Sequence, residues 1–254
     1  MKIMWMKTLA LAATAAAYSH AIFGIGGQWA PALGLEVKEG KGNIAAAGAD
    51  SISIDQASVS GLNGFGMKLW IDALPFVDLE ASSNIQYGFY DVSIISPPNS
   101  TRKDLTFDLG VPGVDKPAFA RIMSDVTVLY PFLKLPPVVS LVKVYAGAGI
   151  THVLATEVLN AKFAKKAVSK VTSGGGGAAA ADTPEEVSAI LVDAIEDEGL
   201  KSGVGFHLEL GAKAKPPVIP LAVFANFKYH FLSTMPSAVD GNSLTLELGG
   251  ALAF

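Results

Sequence analysis

Toward its end the chain alternates: Leu244, Leu246, Leu248, Leu252 and Phe254 fall on one face of an extended strand, and Thr245, Glu247, Gly249, Ala251 and Ala253 on the other. A period of two marks a strand with one apolar face. The same pattern recurs upstream. Leu221, Val223, Ala225, Phe227, Tyr229 and Phe231 oppose Ala222, Phe224, Asn226, Lys228 and His230, and Val204, Phe206, Leu208 and Leu210 oppose Gly205, His207, Glu209, Gly211 and Lys213. Val142, Val144, Ala146, Ala148 and Ile150 oppose Lys143, Tyr145, Gly147 and Gly149, and Ile122, Val126, Val128 and Tyr130 oppose Arg121, Asp125 and Thr127, with Ser124 interrupting the apolar side. Val77, Leu79, Ala81, Ile85, Tyr87 and Phe89 face away from Asp78, Glu80, Ser82, Asn84, Gln86 and Gly88. Phe65, Met67, Leu69 and Ile71 alternate with Gly66, Lys68, Trp70 and Asp72, and Phe23, Ile25, Trp29, Leu33 and Leu35 with Gly24, Gly26, Gln28, Gly34 and Glu36. Eight such segments predict an all-β chain, an eight-stranded antiparallel up-and-down transmembrane β-barrel, because hydrocarbon admits only helices and closed barrels.

The connections sort by length. Short, proline-bearing ones at Leu74-Pro75-Phe76, Pro131 to Pro137 and Lys215 to Pro220 alternate with long ones at Val37 to Gly64, Asp91 to Ala118, Leu154 to Ser202 and Leu232 to Asn242. One rim therefore carries tight turns and both termini, the other four loops. The third loop, about residues 154–200, predicts a helical hairpin. Leu154 to Lys170 reads as a basic amphipathic helix with Lys162, Lys165, Lys166 and Lys170 beside an apolar stripe. After a glycine and alanine linker, Thr183-Pro184-Glu185-Glu186 is a capping box, and Val187, Ile190, Leu191, Ala194 and Ile195 continue an acidic second helix.

Composition sharpens this picture. Charged residues are only 17% of 254, against about 25% in globular proteins. Beyond the amino terminus no apolar run approaches the roughly 20 residues a spanning helix needs. Lys2 and Lys7 before the apolar run Thr8 to Tyr18, then Ser19-His20-Ala21, have the layout of a secretory signal peptide over residues 1–21, which leaves 22–254 as the barrel. The absence of cysteine excludes a disulfide scaffold and a thiol nucleophile, and a net charge of −4 argues against nucleic acid as a partner.

The polar faces collect Glu36, Asp72, Asp78, Glu80, Asp125, Glu209 and Glu247 with Lys68, Arg121, Lys143, Lys213 and Lys228. Such charges cannot face lipid, and the bore of an eight-stranded barrel holds little but its own side chains, so they are expected to pair as a lumen charge network. Frequent glycine on the same faces, Gly24, Gly66, Gly149 and Gly249 among them, makes room for long neighbours. By the same pattern Thr245 is expected to accept an arginine more readily than Leu248. His207, Glu209 and Lys228 stand close in this arrangement without a nucleophile, so no catalytic residues are assigned. No ligand spacing points to a metal, and no cofactor is implied.

With eight alternating strands, short turns opposite long loops and a last strand ending Leu252-Ala253-Phe254, the chain resembles the small outer-membrane β-barrels of didermic bacteria, the OmpA transmembrane domain and OmpW class. The resemblance implies an outer-membrane location with both termini in the periplasm, contact with outer-membrane lipid, and Phe254 as a signal read by the barrel assembly machinery. It implies a non-enzymatic role, as envelope structure or as a narrow passive path for small solutes, apolar ones among them. Two alternatives stay open: a surface adhesin or receptor acting through its loops, and a barrel hydrolase or acyltransferase.

Overall fold

The computed structural model describes residues 23–47, 50–72, 76–96, 101–106, 115–135, 141–173, 183–198, 200–216, 219–233, 235–236 and 238–254. The expected signal segment 1–21, residues 174–182 between the helices, and 73–75, 136–140 and 217–218 at the tight turns lie outside them.

Among the described residues thirteen strands and two helices follow in chain order. They are β1 Phe23–Trp29, β2 Ala32–Val37, β3 Gly40–Ala47, β4 Asp50–Gln56, β5 Val59–Ile71, β6 Asp78–Phe89, β7 Val92–Ser96, β8 Thr101–Asp104, β9 Ala118–Lys134, β10 Leu141–Thr156, α1 Ala161–Ser173, α2 Pro184–Glu198, β11 Leu200–Lys215, β12 Leu221–Leu232 and β13 Asn242–Ala253. The first sheet closes on itself, since β1 pairs with both β5 and β13. Strands β1 and β2 run along one stave broken at Ala30-Pro31, and both touch the same two neighbours, so nine strands make an eight-stave antiparallel barrel. Phe23 and Phe254 exchange backbone hydrogen bonds at 3.2 and 2.9 Å and finish the seam.

Pairing carries Phe231 to Phe206, Ile150, Val126, Ala81, Leu69, Ile25, Leu252 and back to Leu221 on the starting strand, ten residues lower. With a rise of about 3.3 Å per residue and strands about 4.8 Å apart, that stagger tilts the strands by about 41°. One circuit then climbs about 25 Å, the height of the apolar band on barrels of this size. Along that band Ile25, Leu69, Val126, Ile150, Phe206, Leu221 and Leu252 are exposed, whereas Lys68, Arg121, Lys228 and Glu247 are buried inside. A water-soluble domain has the opposite polarity.

The predicted inward position of Glu36 is corrected. Glu36 is exposed, while Leu35 and Val37 on either side are wholly buried. The alternation slips because Pro31 interrupts the stave and Gly34 takes φ +70°, so Leu33 and Gly34 both face out and the pairing with β5 shifts between Ala32 and Glu36. Leu35, expected outside, consequently joins the interior.

The long loops are not independent excursions. Strands β3, β4, β7 and β8, from the first two loops, pair as a second sheet in that order, and α1 and α2 pack against it and each other. Ile52 and Ile54 of β4, Val92 and Ile94 of β7, Phe163, Ala164 and Ala167 of α1 and Val187 and Leu191 of α2 share one apolar core with Leu35, Val37 and Phe119 of the barrel mouth. The loop rim thus carries a folded cap continuous with the barrel. The first helix starts later than its periodicity suggests: Leu154 still belongs to β10, and Asn160 caps the helix by accepting the Phe163 N–H at 2.9 Å. The capping box of α2 is present, with Thr183 N–H donating to Glu186 Oε2 at 3.2 Å and Glu186 N–H to Thr183 Oγ1 at 3.3 Å. Replacing Asn160 with Ala should cost the cap about 1 kcal/mol, the ordinary worth of such a cap, and speed amide hydrogen exchange in α1 while exchange in the barrel strands stays unchanged.

Candidate functional site

Inward side chains fill the barrel in layers. Nearest the turns, Asp72 accepts from Lys143 at 2.9 Å and from Lys213 at 2.9 Å, and Lys143 also reaches Asp78 at 3.3 Å. Lys213 lies over the Trp70 ring, 4.6 Å from its centroid, and Trp70 meets Phe224 edge-on. With Ala222, Ala251 and Ala253 these two rings form an apolar plug. The rings fit because glycines stand opposite them: a Cβ on Gly24 would strike Trp70, and one on Gly249 would strike Phe224. The void beside Trp70 is about 10 Å³, room for no more than about one water molecule.

The middle layer sets two ammonium groups among three glutamates. Lys68 reaches Glu247 at 2.7 Å and Glu80 at 2.8 Å, and Lys228 reaches Glu80 at 3.1 Å, Glu247 at 3.3 Å and Glu209 at 3.6 Å. Glu209 and Lys228 are direct cross-strand partners, as are Asn226 and Glu247. Amides complete the layer, Asn84 donating to Glu247 at 2.9 Å and Gln28 to Asn84 at 2.6 Å, while the Tyr145 hydroxyl donates to Asn226 at 2.6 Å. Asp125 joins from above, 3.4 Å from Lys228 and 3.4 Å from His230 Nε2. His207 stands between Thr127 and Thr151, 2.9 Å from each hydroxyl, and Thr151 donates to Asp125 at 2.8 Å.

Arg121 is the charge nearest the loop rim. It donates to Gln86 Oε1 at 2.8 Å and to Ser243 Oγ at 3.0 Å, and among the described residues no carboxylate lies within ion-pair distance. Beside it Met123, two residues nearer the turns on β9, packs with Val153 and Leu232, with Met235 against them, as a second apolar plug, and the cap core follows. Eleven of the twelve charges expected in the lumen therefore line it, and Glu36 does not. What the sequence pattern did not reveal is the closure at both ends, whose signal was present in the inward apolar positions Trp70, Phe119, Met123 and Phe224.

Chemically this interior is a fixed, largely self-neutralising lattice. Asp125, His207 and His230 can bring their ligand atoms within 4.8 Å of one another, as can Glu80, Glu209 and Glu247. The fully buried Lys228 ammonium contacts members of both sets and occupies the place a cation would take.

The cap offers a roomier concavity, a cleft of about 250 Å³ lined by Lys38, Glu39, Gly40, Lys41, Asn160, Ala161, Lys162 and Ala238. Lys38 pairs with Asp240 at 3.0 Å, which holds its ammonium above the usual range, and Lys41 pairs with Asp55 at 3.5 Å. Beneath the cap, the buried Tyr90 hydroxyl accepts the Leu159 N–H at 3.1 Å, and burial pushes its phenol up to about 12. That phenol stays neutral, so its contribution is complete below about pH 10, the ordinary tyrosine range, and fades only as pH rises through about 12.

No protein-family profile and no curated protein matches the chain in sequence. Among solved structures it is similar to the outer membrane protein OprG from Pseudomonas aeruginosa, at 11% identity and TM-score 0.48, over 92% of this chain and 97% of that one. It is also similar to Ail, the attachment invasion locus protein of Yersinia pestis, solved in complex with the heparin analogue sucrose octasulfate, at 9% identity and TM-score 0.36, over 91% of this chain and 96% of that one.

Proposed function

We propose that this protein is an outer-membrane barrel of the cell envelope that anchors and displays a folded cap at the cell surface, its lumen being a structural, non-catalytic seal. The observation that carries the reading is the charged lattice shut between two apolar plugs, one around Trp70 and Phe224 and one around Met123, Val153 and Leu232. A passive path for small solutes, apolar or otherwise, would require those side chains to move aside. The apolar belt accounts for lipid as the surrounding partner, and closure of the seam at Phe254 fits a last strand read by the assembly machinery. Phe23 and Phe254 meet on the turn rim, and in this reading that rim faces the periplasm while the cap faces outward.

Within this reading the cap does the recognising. Its cleft carries Lys38, Lys41 and Lys162 with one carboxylate, Glu39; since Lys38 and Lys41 pair with Asp240 and Asp55, the excess positive charge comes from Lys162 and from Lys165 on the same helix, a modest bias toward an anionic partner over a cationic one. The chain has no cysteine, so orientation can be read from single introduced thiols. Lys165→Cys, on the cap, should react with a membrane-impermeant maleimide on intact cells, and Lys134→Cys, at the turn rim, only after the outer membrane is opened. Labelling of Lys134→Cys alone on intact cells would reverse the topology.

A further inference from the structure

The alternation that builds the apolar belt is broken on one side of the barrel by polar groups pointing outward. Ser83, Ser124 and His152 are register neighbours on β6, β9 and β10, and Ser202 follows on β11. All four are exposed. The two outer serines bond each other, Ser83 Oγ and Ser124 Oγ being 3.4 Å apart. The other two make a different kind of contact: His152 Nε2 lies 3.0 Å from Ser202 Oγ.

A serine hydroxyl within hydrogen-bond reach of an imidazole is a nucleophile beside its base. The surroundings are those of a lipid-facing site. Ile150 and Val204, on the same strands and the same face, are 69% and 62% exposed, and Leu200 beyond Ser202 is 54% exposed. The level is also informative. The pairing row that joins Phe231 and Phe206 continues to Ile150, and His152 lies one outward step further toward the loop rim. Phe206 and Phe231 stack with centroids 4.5 Å apart. Aromatic side chains collect where hydrocarbon meets headgroups, the depth at which the ester bonds of a glycerolipid or glycolipid sit.

We propose that Ser202 and His152 form a catalytic dyad on the lipid-facing wall, acting on acyl esters of membrane lipids. Ser202 Oγ attacks the ester carbonyl carbon while its proton passes to His152 Nε2. The carbon–oxygen bond to the lipid alcohol breaks, and His152 returns the proton to the departing oxygen, releasing a lysolipid. Water, deprotonated by the same imidazole, then cleaves the acyl-serine, releasing the fatty acid and restoring the hydroxyl. Among the described residues nothing hydrogen-bonds His152 Nδ1, so the base lacks an orienting partner and turnover should be slow. The site is separate from the sealed lumen and adds to the display role proposed above; it rests on the reading that the barrel spans lipid.

The purified protein, folded in detergent micelles, is treated with a fluorophosphonate probe, and a second sample is reconstituted in phospholipid vesicles and assayed for free fatty acid. Probe should attach to Ser202 and be lost in Ser202→Ala. In His152→Ala both labelling and fatty-acid release should fall by about 10²-fold, the lower end of what a general base contributes. Ser124→Ala should match the unmodified protein, and each variant should keep its heat-modifiable migration. Labelling that is absent, or equal in Ser202→Ala, overturns the dyad. So does a barrel that inserts into vesicles and releases no fatty acid, which leaves the membrane reading standing. Failure of the unmodified protein to enter vesicles would overturn the membrane reading, and the dyad with it.

Discussion

Lys228→Met is expected to destabilise the barrel by about 3–5 kcal/mol, the usual consequence of leaving buried charges without their partner. Lys228 is fully buried and lies within 3.6 Å of Glu80, Glu209, Glu247 and Asp125. Removing its ammonium leaves those four carboxylates facing Lys68, which reaches only the three glutamates. Arg121→Met supplies the contrast. Arg121 is equally buried but binds neutral oxygens, so its loss strands two acceptors, Gln86 Oε1 and Ser243 Oγ, at about 1–3 kcal/mol. Urea titration in lipid vesicles, followed by heat-modifiable migration, should rank Lys228→Met well below Arg121→Met. Equal midpoints would mean that the lattice is not held together through Lys228.

Leu248→Arg tests the other face. Leu248 is exposed on β13 halfway along the belt, where a cation at the lipid mid-plane costs about 2–4 kcal/mol. Folding yield into bilayers should fall accordingly, while Val171→Arg, on the exposed side of α1, should leave it unchanged. Thr245→Arg is not a tolerant counterpart, although the alternation suggests one. Thr245 is fully buried and its hydroxyl accepts from Gln86 Nε2 at 3.3 Å, so an arginine there overfills a closed interior beside Arg121. A Leu248→Arg barrel that folded with unchanged yield would place β13 one residue out of register.

Most of the barrel was legible because a strand's faces follow from local alternation, and Lys68, Glu209, Lys228 and Glu247 each stand opposite an apolar neighbour in sequence. Glu36 departs from the pattern because alternation predicts a face only over an unbroken period, and Pro31 with Gly34 shifts that period by one residue. The cap sheet was missed for a different reason. Ile52 and Ile54 alternate with polar residues well enough to mark β4, but its partner β7 lies about forty residues away in another loop, and no local rule names a pairing of that range. The Ser202 and His152 contact is equally non-local, joining two strands across the whole third loop. Its trace in the sequence was a polar residue at an outward position whose neighbours along the strand, Ile150 beside His152 and Val204 beside Ser202, are apolar.

The lumen is shut at both ends. Single-channel recording of the reconstituted protein in a planar bilayer tests it most directly. With Trp70 and Phe224 at one end and Met123, Val153 and Leu232 at the other in place, the trace should stay at baseline across the voltage range, with the insertion confirmed by heat-modifiable migration of the same sample. A large, steady conductance from the unmodified protein would contradict the seal and make the barrel a diffusion channel.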